Sequence, residues 1–283
     1  MKNSMAMIST DCVCDIPKSY QKKYNIQMMY YYVQTEEARF QDIKEISSDS
    51  LLEYIKEGKK AYSSAAPKEE YVAFFQSLKE KHKGPIIHIC MAQHVSIAYE
   101  VASEAALEFK DIHVVDSGHL SGGMAILVLM AADMAQRGAS CELIIEELQR
   151  VREKVSSSFS VASTAALYRN GRIGKKVFLI CNALLLHPIL NLHDSKMSPA
   201  GICIGKPKHF AKTYLRWALR KKNTINTDIV FLITAGCSYE FQDFLKEEML
   251  RRVPFKKVVI NNASGTICCN CGAGAFGVLF VRE

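Results

Sequence analysis

From Ile86 onward, short apolar runs alternate with longer segments that carry a single apolar stripe, and this alternation restricts the fold more than any motif in the chain. Ile86–Met91 is continuously apolar. Ser96–Lys110 places Ala98, Val101, Ala102, Ala105 and Phe109 on one face of a helix. Ile112–Asp116 is apolar again, and Leu120–Arg137 reads as a helix closed by Gly138. Strand, helix, strand, helix in this order predicts a parallel sheet covered by helices. Upstream, Met5–Ser9 and Met28–Val33 read as strands. Ser48-Asp49-Ser50 opens a short helix over Leu51–Lys59, and Pro67 starts a helix to Lys83 with acids first and lysines last, as the helix dipole favours. Ser140 is placed to cap a helix over Cys141–Val155.

The run Ser156-Ser157-Ser158 reads as a linker, and the pattern beyond it changes. A strand at Phe159–Ala162 is followed by a loop and an apolar helix within Thr164–Leu192. Leu190–Leu192 and Ile202–Ile204 pair as a hairpin through Asp194–Lys196. Helix His209–Lys222, strand Ile229–Ile233, helix Tyr239–Arg252 and strands Val258–Asn261 and Ala275–Val281 complete the chain. The expected fold class is α/β in two domains. Residues 1–157 build an N-terminal parallel Rossmann-like sheet, and residues 158–283 build a C-terminal mixed α/β sheet.

Composition narrows the function classes. With 49% hydrophobic and 23% charged residues over 283 positions, the chain is neither disordered nor fibrous. Gly122–Ala132 is too short to span a bilayer, and Val177–Leu192 is interrupted by Asn182, His187 and Pro188, so no stable membrane insertion is expected. Met1–Thr10 lacks the apolar centre of a secretion signal, which makes the cytoplasm the expected location and the ten cysteines reduced thiols. A net charge of +7 suits an acidic partner but falls short of the basic balance that points to nucleic acid.

Two literal motifs lose their usual meaning in context. Gly272-Ala273-Gly274-Ala275-Phe276-Gly277 matches G-x-G-x-x-G, but the strand-like Val278–Val281 follows where a dinucleotide site needs a helix. Cys12/Cys14 and Cys269/Cys271 are spaced C-x-C, and only Cys268/Cys271 has C-x-x-C spacing, so unrelated thiols are a better reading than a metal site. Ser63-Ser64-Ala65-Ala66-Pro67 and Ala92–Ser96 are polar turns ahead of helices. Such turns either cap the helix or present N–H groups to an anion.

In combination these segments resemble the DegV family of bacterial fatty-acid-binding proteins. Ile8–Pro17 is similar to its opening I-x-T-D-S-x-x-D-L-P, Ser63–Ala66 to T-S-x-P, Met91–Tyr99 to L-S-S-x-L-S-G-T-Y, Val114–Ser117 to V-V-D-S, Leu167–Ile173 to Y-L-x-x-G-G-R-I, and Cys271–Gly277 to V-G-P-G-x-x-G. The resemblance implies the fold named above with one long-chain fatty acid, or a related amphiphile, buried between the domains. It implies no further cofactor, no catalysis by the chain itself, and a partner fatty-acid kinase that receives the acyl carboxylate. Carried over by position, Ser63, Ser64, Gln93, Ser96 and Asn270 would bind the head group, with Arg172 as a further candidate. The family has Thr at 63, Ser at 93 and His at 270, and Ile97-Ala98 replaces its Gly-Thr. Its hairpin Arg is missing near Ile204-Gly205, where Lys206 or Lys208 would substitute. The apolar segment with Phe178, Leu179, Leu184, Leu185 and Leu186 is expected as core or as a tunnel wall. Two other functions stay open. One is an acyl-handling enzyme with Cys12, standing at the family's Ser, as its nucleophile; the other is a lipid-sensing regulator without a kinase.

Overall fold

The computed structural model describes residues 5–169, 171 and 173–283. The N-terminal part runs β1 (Met7–Asp11), α1 (Lys18–Tyr24), β2 (Gln27–Met29), β3 (Tyr32–Thr35), β4 (Arg39–Gln41), α2 (Ser48–Lys56), β5 (Ala61–Ser64), α3 (Lys68–Lys81), β6 (Ile86–Cys90), α4 (Ala98–Ala106), β7 (Ile112–Asp116), α5 (Ser121–Gln136) and α6 (Cys141–Arg152). It continues with β8 (Val155–Ser160), α7 (Ala165–Arg169), α8 (Lys175–Ala183), β9 (Leu186–His193), β10 (Lys196–Ile204), α9 (Pro207–Ala218), β11 (Val230–Thr234), α10 (Tyr239–Leu250), β12 (Val258–Asn262), α11 (Gly265–Cys271) and β13 (Phe276–Val281).

Among the described residues the strands form a parallel sheet ordered β2-β1-β6-β7, a mixed sheet ordered β10-β9-β8-β13-β11-β12, and a small antiparallel sheet ordered β4-β3-β5. The α/β class and the parallel and mixed sheets are as expected. Strands β6 and β11 are buried along their whole length, which is why each reads as an unbroken apolar run rather than an alternating one. Ser140 and Ser238 accept the Leu143 and Phe241 backbone N–H groups and so start α6 and α10.

Helix α5 lies between the two large sheets. It packs on β1 from one side and on β8, β11 and β13 from the other. A side chain at Gly122 would put its Cβ 2.8 Å from Phe231 Cβ and 3.1 Å from Leu279 Cδ1, so glycine there is what lets the helix approach the mixed sheet.

Three expectations need correction, and one helix was not expected. Met28–Val33 is not one strand: the chain leaves β2, which pairs with β1, and re-enters as β3, which pairs with β4 and β5. A single apolar run serves two sheets here, and hydrophobicity carries no mark of the break. Ser47, not the following serines, caps α2 by accepting the Ser50 N–H at 3.1 Å. Ser156-Ser157-Ser158 is no linker. It lies inside β8, paired with both β13 and β9, where small hydroxyls leave room for α5 and for the Tyr214 hydroxyl. The segment 265–271 forms α11, which its cysteine-rich sequence does not announce. The hairpin is as expected: Asp194 and Ser195 both take left-handed backbone (φ 50° and 59°), the two-residue turn that matches strand twist.

Candidate ligand-binding site

A cavity lies where the segments just past β2 and β6 meet the inner face of the mixed sheet, with β5 and α11 along one wall. That is the crevice in which open α/β sheets usually hold ligands. Its volume is about 200 Å³. Leu120, Phe159, Ile233, Phe276 and Leu279 make most of it apolar. Ser63, Ser64, Ser96, Tyr31, Thr266 and Asn270 contribute hydroxyls and an amide. Among the described residues no Asp, Glu, Lys, Arg or His side chain lines it.

The polar wall is built by two short elements that sequence periodicity reveals poorly. β5 places Ser63 opposite Val33 in the small sheet. α11 is started by Asp42, whose carboxylate accepts the Gly265 N–H at 2.8 Å and the Thr266 N–H at 2.7 Å. A carboxylate on the first N–H groups of a helix satisfies donors that otherwise have no partner. Gly265 is required there, since a Cβ would come within 2.7 Å of that carboxylate. One helical turn on, the Asn270 amide nitrogen donates to Ser63 Oγ at 3.1 Å and to the Thr266 carbonyl at 2.9 Å, joining α11 to β5. Thr266 is buried, and its Oγ1 has no partner among the described residues. Ser96 Oγ accepts the Ala98 N–H at 3.2 Å and lies within reach of the Tyr31 hydroxyl.

Behind this wall sit two further buried acids of the opening segment. Asp11 accepts from the Tyr71 hydroxyl at 2.8 Å, the Tyr31 hydroxyl at 3.1 Å and the Met91 N–H at 3.0 Å, and His88 Nε2 stands 3.3 Å away. A buried carboxylate is tolerated only when so paired. Asp15 accepts the Ser121 hydroxyl at 2.5 Å and the Ser264 N–H at 2.8 Å; burial nevertheless pushes its carboxyl up to about 7. Together Asp11, Asp15 and Asp42 tie the loops of the site to both large sheets.

Of the sequence candidates, Ser63, Ser64, Ser96 and Asn270 come together in the cavity. Gln93 does not. Its backbone N–H donates to Asp116 at the end of β7, which turns the chain so that its side chain is exposed, in a separate groove between α4 and α6. Arg172 falls outside the described residues. Lys206 and Lys208 are exposed, and Lys208 pairs with Glu240 at 3.0 Å instead. The expected core or tunnel segment is also displaced. None of α8 is buried, Leu179, Leu184 and Leu185 are exposed, Leu186 belongs to β9, and neither Phe178 nor Leu179 lines the cavity. Cys12 is fully buried, accepts the Tyr31 N–H at 3.3 Å, and its thiol is pushed well above the ordinary range by burial and by Asp42. A nucleophilic cysteine needs the opposite shift. Tyr31 and Thr266 were not foreseen. The signal for Tyr31 is Asp11, whose burial demands donors; the signal for Thr266 is its position four residues before Asn270.

These features define an α/β protein with an apolar crevice and a polar wall of hydroxyls and amide, set between a parallel and a mixed sheet. The chain belongs to the DegV family: the family model described as "Uncharacterised protein, DegV family" matches residues 5–283. A DegV domain-containing protein of Clostridium perfringens is 30% identical over 205 residues, 71% of this chain and 73% of that one. Among solved structures, a DegV family protein from Thermus thermophilus described by its fatty acid binding superposes with a TM-score of 0.86 at 23% identity, covering 98% of this chain and 99% of that one. A stearic acid-binding protein from Eubacterium ventriosum superposes with a TM-score of 0.85 at 21% identity, covering 98% of each chain. Among the described residues no helix is long and apolar enough to cross a membrane.

Proposed function

We propose that this protein binds a long-chain fatty acid, or a related amphiphile, between units formed by residues 1–157 and 158–283, with the head group against Ser63, Ser64, Ser96 and Asn270. The observation that carries this reading is the division of one cavity into an apolar body and a wall of hydroxyls and amide, with no charged side chain among the described lining residues. Burying about 15 methylenes gains roughly 12 kcal/mol gross, at about 0.8 kcal/mol each. Lost chain and overall freedom offset part of that. The head group keeps hydrogen bonds, without which burial of a carboxylate would be prohibitive. The Thermus thermophilus and Eubacterium ventriosum relatives support the ligand class by their descriptions.

The chain itself does no covalent chemistry in this reading. It works in the cytoplasm as a carrier and presents the acyl carboxylate to a partner kinase, as the family resemblance suggests. The unfavourable surroundings of Cys12 weigh against an acyl enzyme. Mass spectrometry of an organic extract of the purified, denatured protein tests the ligand: one equivalent of a long-chain acid is expected. Iodoacetamide labelling of Cys12 faster than a free thiol at neutral pH would favour the enzyme. Failure to retain any kinase from a cell extract would favour a lipid-sensing regulator.

A further inference from the structure

We propose that Asp11, His88 and Cys90 form a zinc-class metal site inside the parallel sheet, behind the cavity and apart from its head-group wall. β1 and β6 are parallel neighbours in which Ser9 stands opposite His88 and Thr10 opposite Ile89. Residues two apart on a strand share a face. Ser9 and Asp11 of β1 therefore turn to the same side as His88 and Cys90 of β6. There the donor atoms of Asp11, His88 and Cys90 all lie within 4.8 Å of one another, and all three residues are fully buried. The geometry of His88 points most directly to a metal. Its Nδ1 is 3.0 Å from Ser9 Oγ, and its Nε2 is 3.3 Å from Asp11 Oδ1. The second contact is close but lacks hydrogen-bond direction. A separation of about 3.3 Å is what divides two light-atom ligands held about 2.0 Å from one tetrahedral zinc ion. Ser9 takes the other ring nitrogen, as the partner of a metal-bound imidazole does. The rings of Tyr71, Phe74 and Phe75 meet the imidazole edge-on and hold its plane. One nitrogen, one sulfur and one carboxylate oxygen are a donor set that suits zinc, and the Tyr71 hydroxyl, 2.8 Å from Oδ1, stands beside them as a fourth. A divalent ion with a neutral imidazole, a thiolate and a carboxylate sums to zero net charge, the condition under which a closed core holds ions at least cost. Asp11 Oδ2 meanwhile accepts from the Tyr31 hydroxyl and the Met91 N–H, and both residues line the cavity. The ion therefore braces the cavity from behind without touching its occupant.

Because the site is closed, the ion must enter as the chain folds. The test is therefore made on full-length protein produced in medium supplemented with zinc chloride or with cobalt(II) chloride, then purified and dialysed. Elemental analysis is expected to find one equivalent of zinc. The cobalt protein is expected to show a thiolate-to-cobalt charge-transfer band and the visible bands of a tetrahedral site. Cys90→Ala should lose the charge-transfer band, and His88→Phe should retain less than a tenth of the zinc. Wild type that carries no metal after either supplement would overturn the proposal. So would a charge-transfer band that survives in Cys90→Ala, since another of the ten cysteines would then be the ligand. Zinc retained in full by His88→Phe would overturn it as well. Should these core variants fail to fold, X-ray absorption of the zinc-loaded wild type decides. One sulfur with nitrogen and oxygen neighbours supports the site; two or more sulfurs, or none, overturns it. The proposal stands or falls independently of what the cavity binds.

Discussion

Helices α5 and α8 are both apolar in sequence, and the fold treats them oppositely. In α5, Met124 to Val128 are buried without interruption, because a sheet covers the helix on each side. In α8 no residue is buried, and Val177, Leu179 and Ile180 stand exposed beside β9. Apolarity states what a segment gains by burial. Whether it is buried depends on a second surface able to approach it. Gly122 and Gly123 give α5 that approach: a Cβ on Gly123 would fall 2.1 Å from Ser157 Oγ. α8 has no such pair, and among the described residues it packs chiefly on β9 and α7.

The sharpest test of this contrast is Leu127→Ala in α5. Leu127 is 1% exposed, and its truncation should cost about 3 kcal/mol, read from the urea midpoint at constant slope. A loss below about 1 kcal/mol would mean that α5 is not the shared core of the two sheets. Gly122→Ala should cost about 2 kcal/mol, because Phe231, Ile233 and Leu279 cannot all retreat. A neutral result would place the mixed sheet farther from α5 than described.

The next effect depends on pH. Asp15 holds the first residue of α5 through Ser121, and burial raises its carboxyl to about 7 from an ordinary value near 4. The folded state therefore keeps a proton that the unfolded chain releases. The stability linked to Asp15 is fully present below about pH 4 and is lost as pH rises through about 7. The urea midpoint of wild type should fall across this window relative to that of Asp15→Asn; parallel curves would show that Asp15 is ionised throughout. The smallest effect belongs to α8. Leu179→Ser, at a side chain 53% exposed, should change stability by no more than about 0.5 kcal/mol. A loss as large as that of Leu127→Ala would mean that α8 is covered.

The parts of the site legible in the sequence were those tied to regular elements or to spaced motifs. Ser63, Ser64 and Ser96 stand at the ends of readable segments, and the opening Thr10-Asp11 and the closing glycines keep the family's order. Gln93 was misassigned because one backbone hydrogen bond, from its N–H to Asp116, sets which way the turn faces, and a sequence does not record that direction. α11 was missed because its helical state depends on Asp42, more than two hundred residues away, capping Gly265 and Thr266.

Local physics was enough to make β6, β7, α3 and α6 what they are. Runs of apolar residues with strand or helix period, and serines or glycines at their ends, act within a dozen residues, and so the parallel half could be read in order. Long-range packing made the remaining choices: that Met28–Val33 divides between two sheets, that α5 is enclosed while α8 is bare, and that Asn270 meets Ser63 on the cavity wall. Each depends on which distant surface arrives at a segment, and that surface exists only once the whole chain has folded.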